Sequence, residues 1–286
     1  MKYAFIREHR KEHAVSLLCP TLEVSVSGYY DWFDRPASAT QKINQGLLTQ
    51  IRCFHRSSRG IYGSPRIHRD LVDAGESVSR QRVARLMRST GIQSKMAKRF
   101  VITTNSKNTT QPAPDRLRRA FRVKDKNKAW VSDTTFIRTR EGWLYLAVMI
   151  DLYSRQVIGW AMSDRNNTKL VTDALIMATW HRGKLKDVIV HSDQGSTYAS
   201  GHYRKVLKDN NLVCSMSRRG ECYDNAVAES FFGTLKTELV DHEDYWTRVQ
   251  AKQSLFEYIE VFYNRQRRHS YLGYVSPVKY ERATAL

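Results

Sequence analysis

Three acids of this 286-residue chain stand where acids are costly unless they do chemistry. Asp133 lies inside the apolar, β-rich run AWVSDTTFIRT, flanked by Trp130 and Phe136, although aspartate is disfavoured in a strand interior. Asp193 ends the run DVIVHSD, at the carboxyl edge where α/β sheets usually meet their ligands. Glu229 sits between Ala226, Val227, Ala228 and Phe231, Phe232, an acid in an otherwise apolar helical stretch. A strand centre, a strand end and a neighbouring helix that converge would offer oxygen donors alone, the ligands of hard cations such as Mg²⁺. Two such ions about 4 Å apart suit in-line displacement at a phosphodiester, one at the attacking oxygen and one at the leaving oxygen. Taken singly, each acid reads equally well as a salt bridge or a helix cap in a very basic protein.

The charge balance names the class of partner. Lys and Arg number 47 against 28 Asp and Glu, a formal net charge of +19 with a pI near 9.9. That is the footprint of a polyanion binder, shared by ribosomal proteins, RNA binders and DNA enzymes. The four cysteines are scattered with no CxxC pair, which fits a reducing cytoplasm and offers no zinc framework. His9 and His13 have helical spacing but no second ligand pair follows them. No run approaches a membrane span, and the opening MKYAFIREHRKEH is charged where a secretory signal would be apolar, so neither membrane nor export is expected.

The elements that must position the acids follow from periodicity. Residues 1–92 read as helices. Ile67 and Leu71 share one face, Gly75 punctuates, Ser79 is placed to cap, and Val83, Leu86 and Met87 line the next helix before Gly91 ends it. This is a helix-turn-helix outline, and Arg80, Arg82, Arg85 and Arg88 stud its second helix as candidate DNA contacts. A solvated basic face on an ordinary helical hairpin is the competing reading. Residues 93–127, with TTNSKNTTQPAPD followed by RLRRAFRVKDKNK, read as a flexible basic linker.

From 128 to 286 the pattern alternates. Three β-rich runs precede a helix at 169–181, a strand at DVIVHS, a helix near 203–208 and a strand near 212–217. Long helices follow at about 223–240 and 247–264. That order predicts an α/β core on a mixed sheet.

The words around the acids resemble a known family. WVSDTTFI, GWLYLAVMIDLYSRQVIGW (142–160), HSDQGSTY (191–198), SMSRRGECYDNAVAESFFGTLKTE (215–238) and YNRQRRHSYLGYVSP (263–277) resemble the signatures of DDE transposases from insertion sequences with two overlapping reading frames. The protein resembled is the downstream-frame (OrfB) product with a retroviral-integrase-like core. The 35 residues between Asp193 and Glu229 match that family's spacing, and SVSGYYDW (25–32) and YGSPRIHRDL (62–71) extend the likeness over nearly the whole chain. One departure stands out: HSDQGSTY differs from the commoner form, which has arginine after the second Asp and two glycines, and this alters none of the three acids.

The resemblance implies an RNase H-like integrase core, a mixed five-stranded sheet with flanking helices, preceded by a small all-α helix-turn-helix region. It implies that Asp133, Asp193 and Glu229 are the catalytic residues and the metal ligands, with Mg²⁺ or Mn²⁺, two ions, as cofactor. Lys236, two helical turns beyond Glu229, matches a basic position that contacts DNA; Asn225, one turn before Glu229, would orient that acid or touch substrate. The implied partners are the element's terminal inverted repeats, target DNA, further copies of the chain in a synaptic complex, and the upstream-frame (OrfA) protein or a fusion to it. The implied location is the bacterial cytoplasm, at the nucleoid. Two rivals share parts of this picture: a non-catalytic DNA-binding regulator acting through residues 1–92, and an RNase H-type nuclease of RNA–DNA hybrids.

Other residues invite blander readings. His191 reads as a strand-end histidine satisfying a neighbour, and Tyr153 and Tyr198 as packing rather than base stacking. Arg265, Arg267, Arg268 and His269 are balanced between gripping phosphates and forming a solvated helix end.

Overall fold

The computed structural model describes residues 1–36, 38–95, 113–218 and 222–284. The chain begins with α1 (Lys2–His9), α2 (Val15–Thr21) and α3 (Val26–Phe33), which bury Ile6, Leu18, Cys19 and Tyr29 against one another. Ser25 caps α3 by accepting the Gly28 N–H at 2.9 Å.

Next come α4 (Ala39–Ser57), α5 (Ser64–Asp73) and α6 (Arg80–Ser89). A capping box of Ser38 and Gln41 opens α4, and the Ser79 hydroxyl accepts the Arg82 N–H at the start of α6. Between α5 and α6, Gly75 takes φ +92°, a left-handed turn that glycine adopts without steric cost. Leu47, Ile51, Ile67, Leu71, Val83, Leu86 and Met87 form the inward faces, and this core runs on without a break into one face of the β-sheet.

The sheet has the order β3-β2-β1-β4-β5. Strands β1 (Ala129–Thr139), β2 (Gly142–Asp151) and β3 (Val157–Ser163) form an antiparallel meander, while β4 (Val188–Ser192) and β5 (Leu212–Met216) add in parallel. Helix α7 (Thr168–Arg182) links β3 to β4; α8 (Ser196–Ala199) and α9 (Gly201–Asp209) link β4 to β5. These helices pack with Trp130, Ala147, Met149 and Val190 on one face. On the other face lie Val131, Ile137 and Leu144, covered by α10 (Ala226–Glu238) and α11 (Arg248–Phe256). The strands alternate because the two faces meet different helices, so both are apolar. Gly159 in β3 marks the closest approach: a Cβ there would lie 2.3 Å from the Ala174 carbonyl oxygen of α7.

Two features depart from the sequence reading. The expected single helix over 247–264 is α11 followed by a π-helical stretch, Glu257–Tyr263, which lets Tyr258, Ile259, Phe262 and Tyr263 all turn inward. Residues 113–127 hold neither helix nor strand, yet they are bound to the core. The backbone N–H groups of Arg116 and Leu117 donate to the buried Ser215 hydroxyl at 2.9 and 3.3 Å, and the Leu117 side chain is buried. The expected linker's other half, including 96–112, lies largely outside the described residues. The chain closes with α12 (Pro277–Ala283). No helix among the described residues is long and apolar enough to cross a membrane.

Candidate active site

The β1–β4 ladder ends at the pair Val131↔His191. Asp133 lies two residues beyond that pair inside β1, and Asp193 two residues beyond it, just past the end of β4, so both acids sit where the two parallel strands part. Past this point β1 has no β4 partner, and its edge opens beside them. Asp133 shares the face of Val131, the face on which α10 packs. Glu229 occupies the first turn of α10, where the helix dipole favours an acid. Strand centre, strand end and helix start are thereby gathered at one sheet edge.

Electrostatics record the proximity. The Asp133 carboxyl is pushed up to about 8 by burial and then by Asp193; Glu229 raises it further, while the Thr134 N–H, donating to its Oδ1 at 2.7 Å, and Lys236 pull it down. Asp193 is an exposed residue whose carboxyl is still raised by desolvation, against a 2.9 Å hydrogen bond from the Gly195 N–H. A Cβ at Gly195 would sit 2.9 Å from that same carboxylate oxygen, so a glycine keeps the group free. Desolvation also raises Glu229. Among the described residues, no three His, Cys, Asp or Glu side chains are drawn close enough together to form a metal cage. The three acids interact through space without closing into one.

The floor of the site is held by hydrogen bonds that no local pattern announces. Asn225 does not reach for Glu229: its Nδ2 donates to the Ser132 carbonyl at 3.2 Å, clamping β1 one residue before Asp133. The Ser132 hydroxyl donates to the Val148 carbonyl at 2.9 Å and meets the Tyr198 hydroxyl at 3.0 Å, so Tyr198 is a buried core residue. His191 is buried against the Ser215 hydroxyl at 2.9 Å, and desolvation lowers its pKa. Asp224, unremarked in the sequence reading, accepts from Arg119 Nε at 2.6 Å and from the Arg218 N–H at 3.1 Å. It thereby ties residues 113–127 to the segment that leads into α10.

The basic candidates divide. Lys236 lies on α10 with its Nζ 5.5 Å from the centre of the Phe136 ring. Arg80, Arg85 and Arg88 are exposed on α6, whereas Arg82 is half-buried and donates from Nε and Nη2 to Asn44 Oδ1 at 3.0 and 2.9 Å. Of the four residues near the C-terminus, Arg265 is exposed. Arg267 and Arg268 are bound internally, to Glu238 and to Asp70 and Asp73. His269 is held down to about 3 by burial and by Arg267, Arg155 and Arg66. Tyr153 packs on Tyr280 with ring centres 5.2 Å apart.

This sheet order, with acids at the β1–β4 edge and on the following helix, is that of an integrase core. Integrase core domain models match residues 124–222 and 229–284, and an HTH-like domain model matches residues 42–100. The chain is a transposase of the polynucleotidyl transferase type. The InsF transposase of insertion sequence IS3A from Escherichia coli K12 is 40% identical over 283 residues, 98% of either chain. An uncharacterized 31 kDa protein of insertion element IS600 from Shigella sonnei is 40% identical over 263 residues, 92% of this chain and 97% of that one. The chain belongs to the IS3-type insertion-sequence transposase family. Among solved structures, the simian T-cell lymphotropic virus intasome with the PP2A regulatory subunit B56 gamma aligns at TM-score 0.47 and 14% identity, covering 81% of this chain and 74% of that one. The HTLV-2 integrase catalytic core domain in complex with magnesium aligns at 0.42 and 15%, covering 54% and 96%.

Proposed function

We propose that this transposase cleaves the ends of its insertion element and joins the freed 3′-hydroxyl ends to target DNA by phosphodiester transesterification, with Asp133, Asp193 and Glu229 as the catalytic carboxylates. The observation that carries this reading is the placement of Asp133 and Asp193 just past the end of the β1–β4 ladder, with Glu229 in the first turn of α10 and both of the other acids acting on the Asp133 carboxyl. The donor set fits a hard divalent cation: it is all oxygen, and Asp133 is raised by burial and by its two acidic neighbours, a repulsion that a cation relieves. Asp133, Asp193 and Glu229 would hold Mg²⁺ or Mn²⁺, two ions, which supply activation of the attacking oxygen and stabilisation of the leaving one.

The chain's own groups do the positioning. Asn225 and Ser132 fix the β1 backbone at Asp133, the Gly195 N–H orients the Asp193 carboxylate, and Lys236 places a cation beside the acids for a DNA phosphate. Residues 1–92 act as the DNA-binding unit through Arg80, Arg85 and Arg88 on α6. Residues 93–127 link it to the catalytic core of 128–286. Assembly involves the element's terminal repeats, target DNA, further copies of this chain, and the upstream-frame protein or a fusion to it.

The test is a strand-transfer assay with the element's own ends and Mg²⁺ or Mn²⁺, wild type beside Glu229→Gln. Joining by wild type and none by the variant supports function and site together. Equal joining by both removes Glu229 from the chemistry. If a protein truncated after about residue 125 retains full function, the chain is a regulator of element ends instead.

A further inference from the structure

Three residues beyond Asp133 on the same strand, Phe136 turns to the opposite face of the sheet and meets Trp143 of β2. The rings are 5.0 Å apart and nearly perpendicular, and they remain 38% and 47% exposed. Cross-strand aromatic pairs are common and stabilise hairpins modestly, but the surroundings of this one are specific. Arg138 is exposed and stands opposite Trp143 in the β1–β2 register. Lys236 reaches over the Phe136 ring from α10. Arg248 donates to the Trp143 carbonyl at 3.1 Å. The nearby acids are already engaged: Glu141 accepts the Arg248 backbone N–H, and Asp244 pairs with Arg140. Exposed aromatic rings bordered by cations suit an anionic chain that carries flat bases, and repel a second copy of the same basic surface.

Building on the proposed strand-transfer reading, we infer that Phe136 and Trp143 form a stacking platform for an unpaired nucleobase of the DNA strand held at Asp133, with Lys236 and Arg138 on the adjoining phosphates. The spacing agrees. Three residues of β-strand span about 10 Å, and nucleotides of a stacked strand advance about 3.4 Å each. The base on the platform lies two to three nucleotides from the phosphate at the acids. Asp133 faces one side of the sheet and the rings the other, and the open β1 edge, which Lys236 of α10 already spans to the Phe136 ring, lets a base that has left its duplex pass from one to the other. The platform thus holds an end that is frayed or splayed, and it raises the fraction of ends in reactive register.

The experiment uses the full-length protein and element-end duplexes carrying 2-aminopurine at one of the four terminal positions at a time, with strand transfer measured in parallel. Wild type quenches the probe at one or two positions. Trp143→Ala and Phe136→Ala abolish that quenching and weaken end binding about tenfold, the size of one base–aromatic stack. Trp143→Phe restores most of both, which separates lost stacking from lost folding. Pre-unpairing the terminal bases rescues a mutation that only slows fraying and leaves the platform variants impaired. Strand transfer by wild type with no quenching at any position overturns the platform and leaves the proposed function standing. Quenching that depends on Trp143 without strand transfer does the reverse. Unchanged end affinity in both alanine variants overturns the platform.

Discussion

Arg267 grips Glu238 with two parallel hydrogen bonds, Nε to Oε2 and Nη2 to Oε1, each 2.7 Å, and both side chains are almost wholly buried. Glu238 is the last residue of α10, the helix that begins with Glu229. Its carboxylate also accepts the Tyr258 hydroxyl at 2.7 Å and lies 3.5 Å from Arg66 of α5, while its carbonyl accepts from Lys95 Nζ at 3.1 Å. One acid therefore joins the helical region, the helix bearing Glu229 and the C-terminal segment. Burial alone would favour neutral Arg267, yet the bonds to Glu238 outweigh it and the guanidinium is raised.

Removing Glu238 strands that buried arginine. Glu238→Ala is expected to lower stability by about 3–5 kcal/mol, the usual penalty for one orphaned partner of a buried pair. Urea unfolding of variant and wild type measures it. A variant that unfolds at the wild-type midpoint would show that water reaches Arg267 and that the network does not hold α10.

The contact between β3 and α7 leaves no room at Gly159. Its Cβ would lie 2.3 Å from the Ala174 carbonyl oxygen, 2.6 Å from the Ala178 nitrogen and 2.8 Å from the Ala178 Cβ. Two of these neighbours are backbone, so no side chain can swing aside. Gly159→Ala is expected to cost about 3 kcal/mol, the upper end of ordinary overpacking. Thermal unfolding with the melting point unchanged would mean that α7 shifts freely.

Asp224 gives stability a pH signature. Burial tends to raise its carboxyl, but hydrogen bonds from Arg218 and Arg119 outweigh it and hold the group down to about 2. The folded value lies below the unfolded one of about 3.9, so the contribution is complete above about pH 5 and is lost as pH falls through 4 towards 2. Asp224→Asn should be less stable than wild type by about 1 kcal/mol at neutral pH, because solvent around the half-exposed Arg119 and Arg218 screens the interaction. The two curves should converge in acid. Parallel curves from pH 6 down to pH 2.5 would refute the assignment of this shift to Asp224.

Periodicity made the helices at 64–73, 80–89 and 168–182 and the strands around Asp133 and Asp193 legible, because each presents an apolar face within one window of sequence. The acids were conspicuous for the same reason, as breaks in such faces. What periodicity cannot carry is a pairing between distant residues. Asp224 with Arg119 spans 105 positions, and Arg268 with Asp70 spans 198. The polar composition of 113–127 therefore read as a free linker, although Ser215 and Asp224 fasten it. Likewise, three arginines near the C-terminus looked alike in sequence, and only their acids distinguish exposed Arg265 from buried Arg267 and half-buried Arg268.

The same distinction separates the arginines of α6. Arg85 and Arg88 are exposed, whereas Arg82 is fastened to Asn44 of α4. If α6 lies against DNA phosphates, Arg85→Ala should weaken binding across all sequences and reduce the slope of log affinity against log salt by about 1. Arg82→Ala should leave that slope nearly unchanged and lower the melting temperature instead, because it releases the tie between α4 and α6. Fluorescence anisotropy at several salt concentrations, with a melting curve for each variant, reads both quantities. Equal slopes in wild type and Arg85→Ala would remove this face of α6 from the phosphate contacts, and a reduced slope in Arg82→Ala would mean that its bond to Asn44 breaks when DNA arrives.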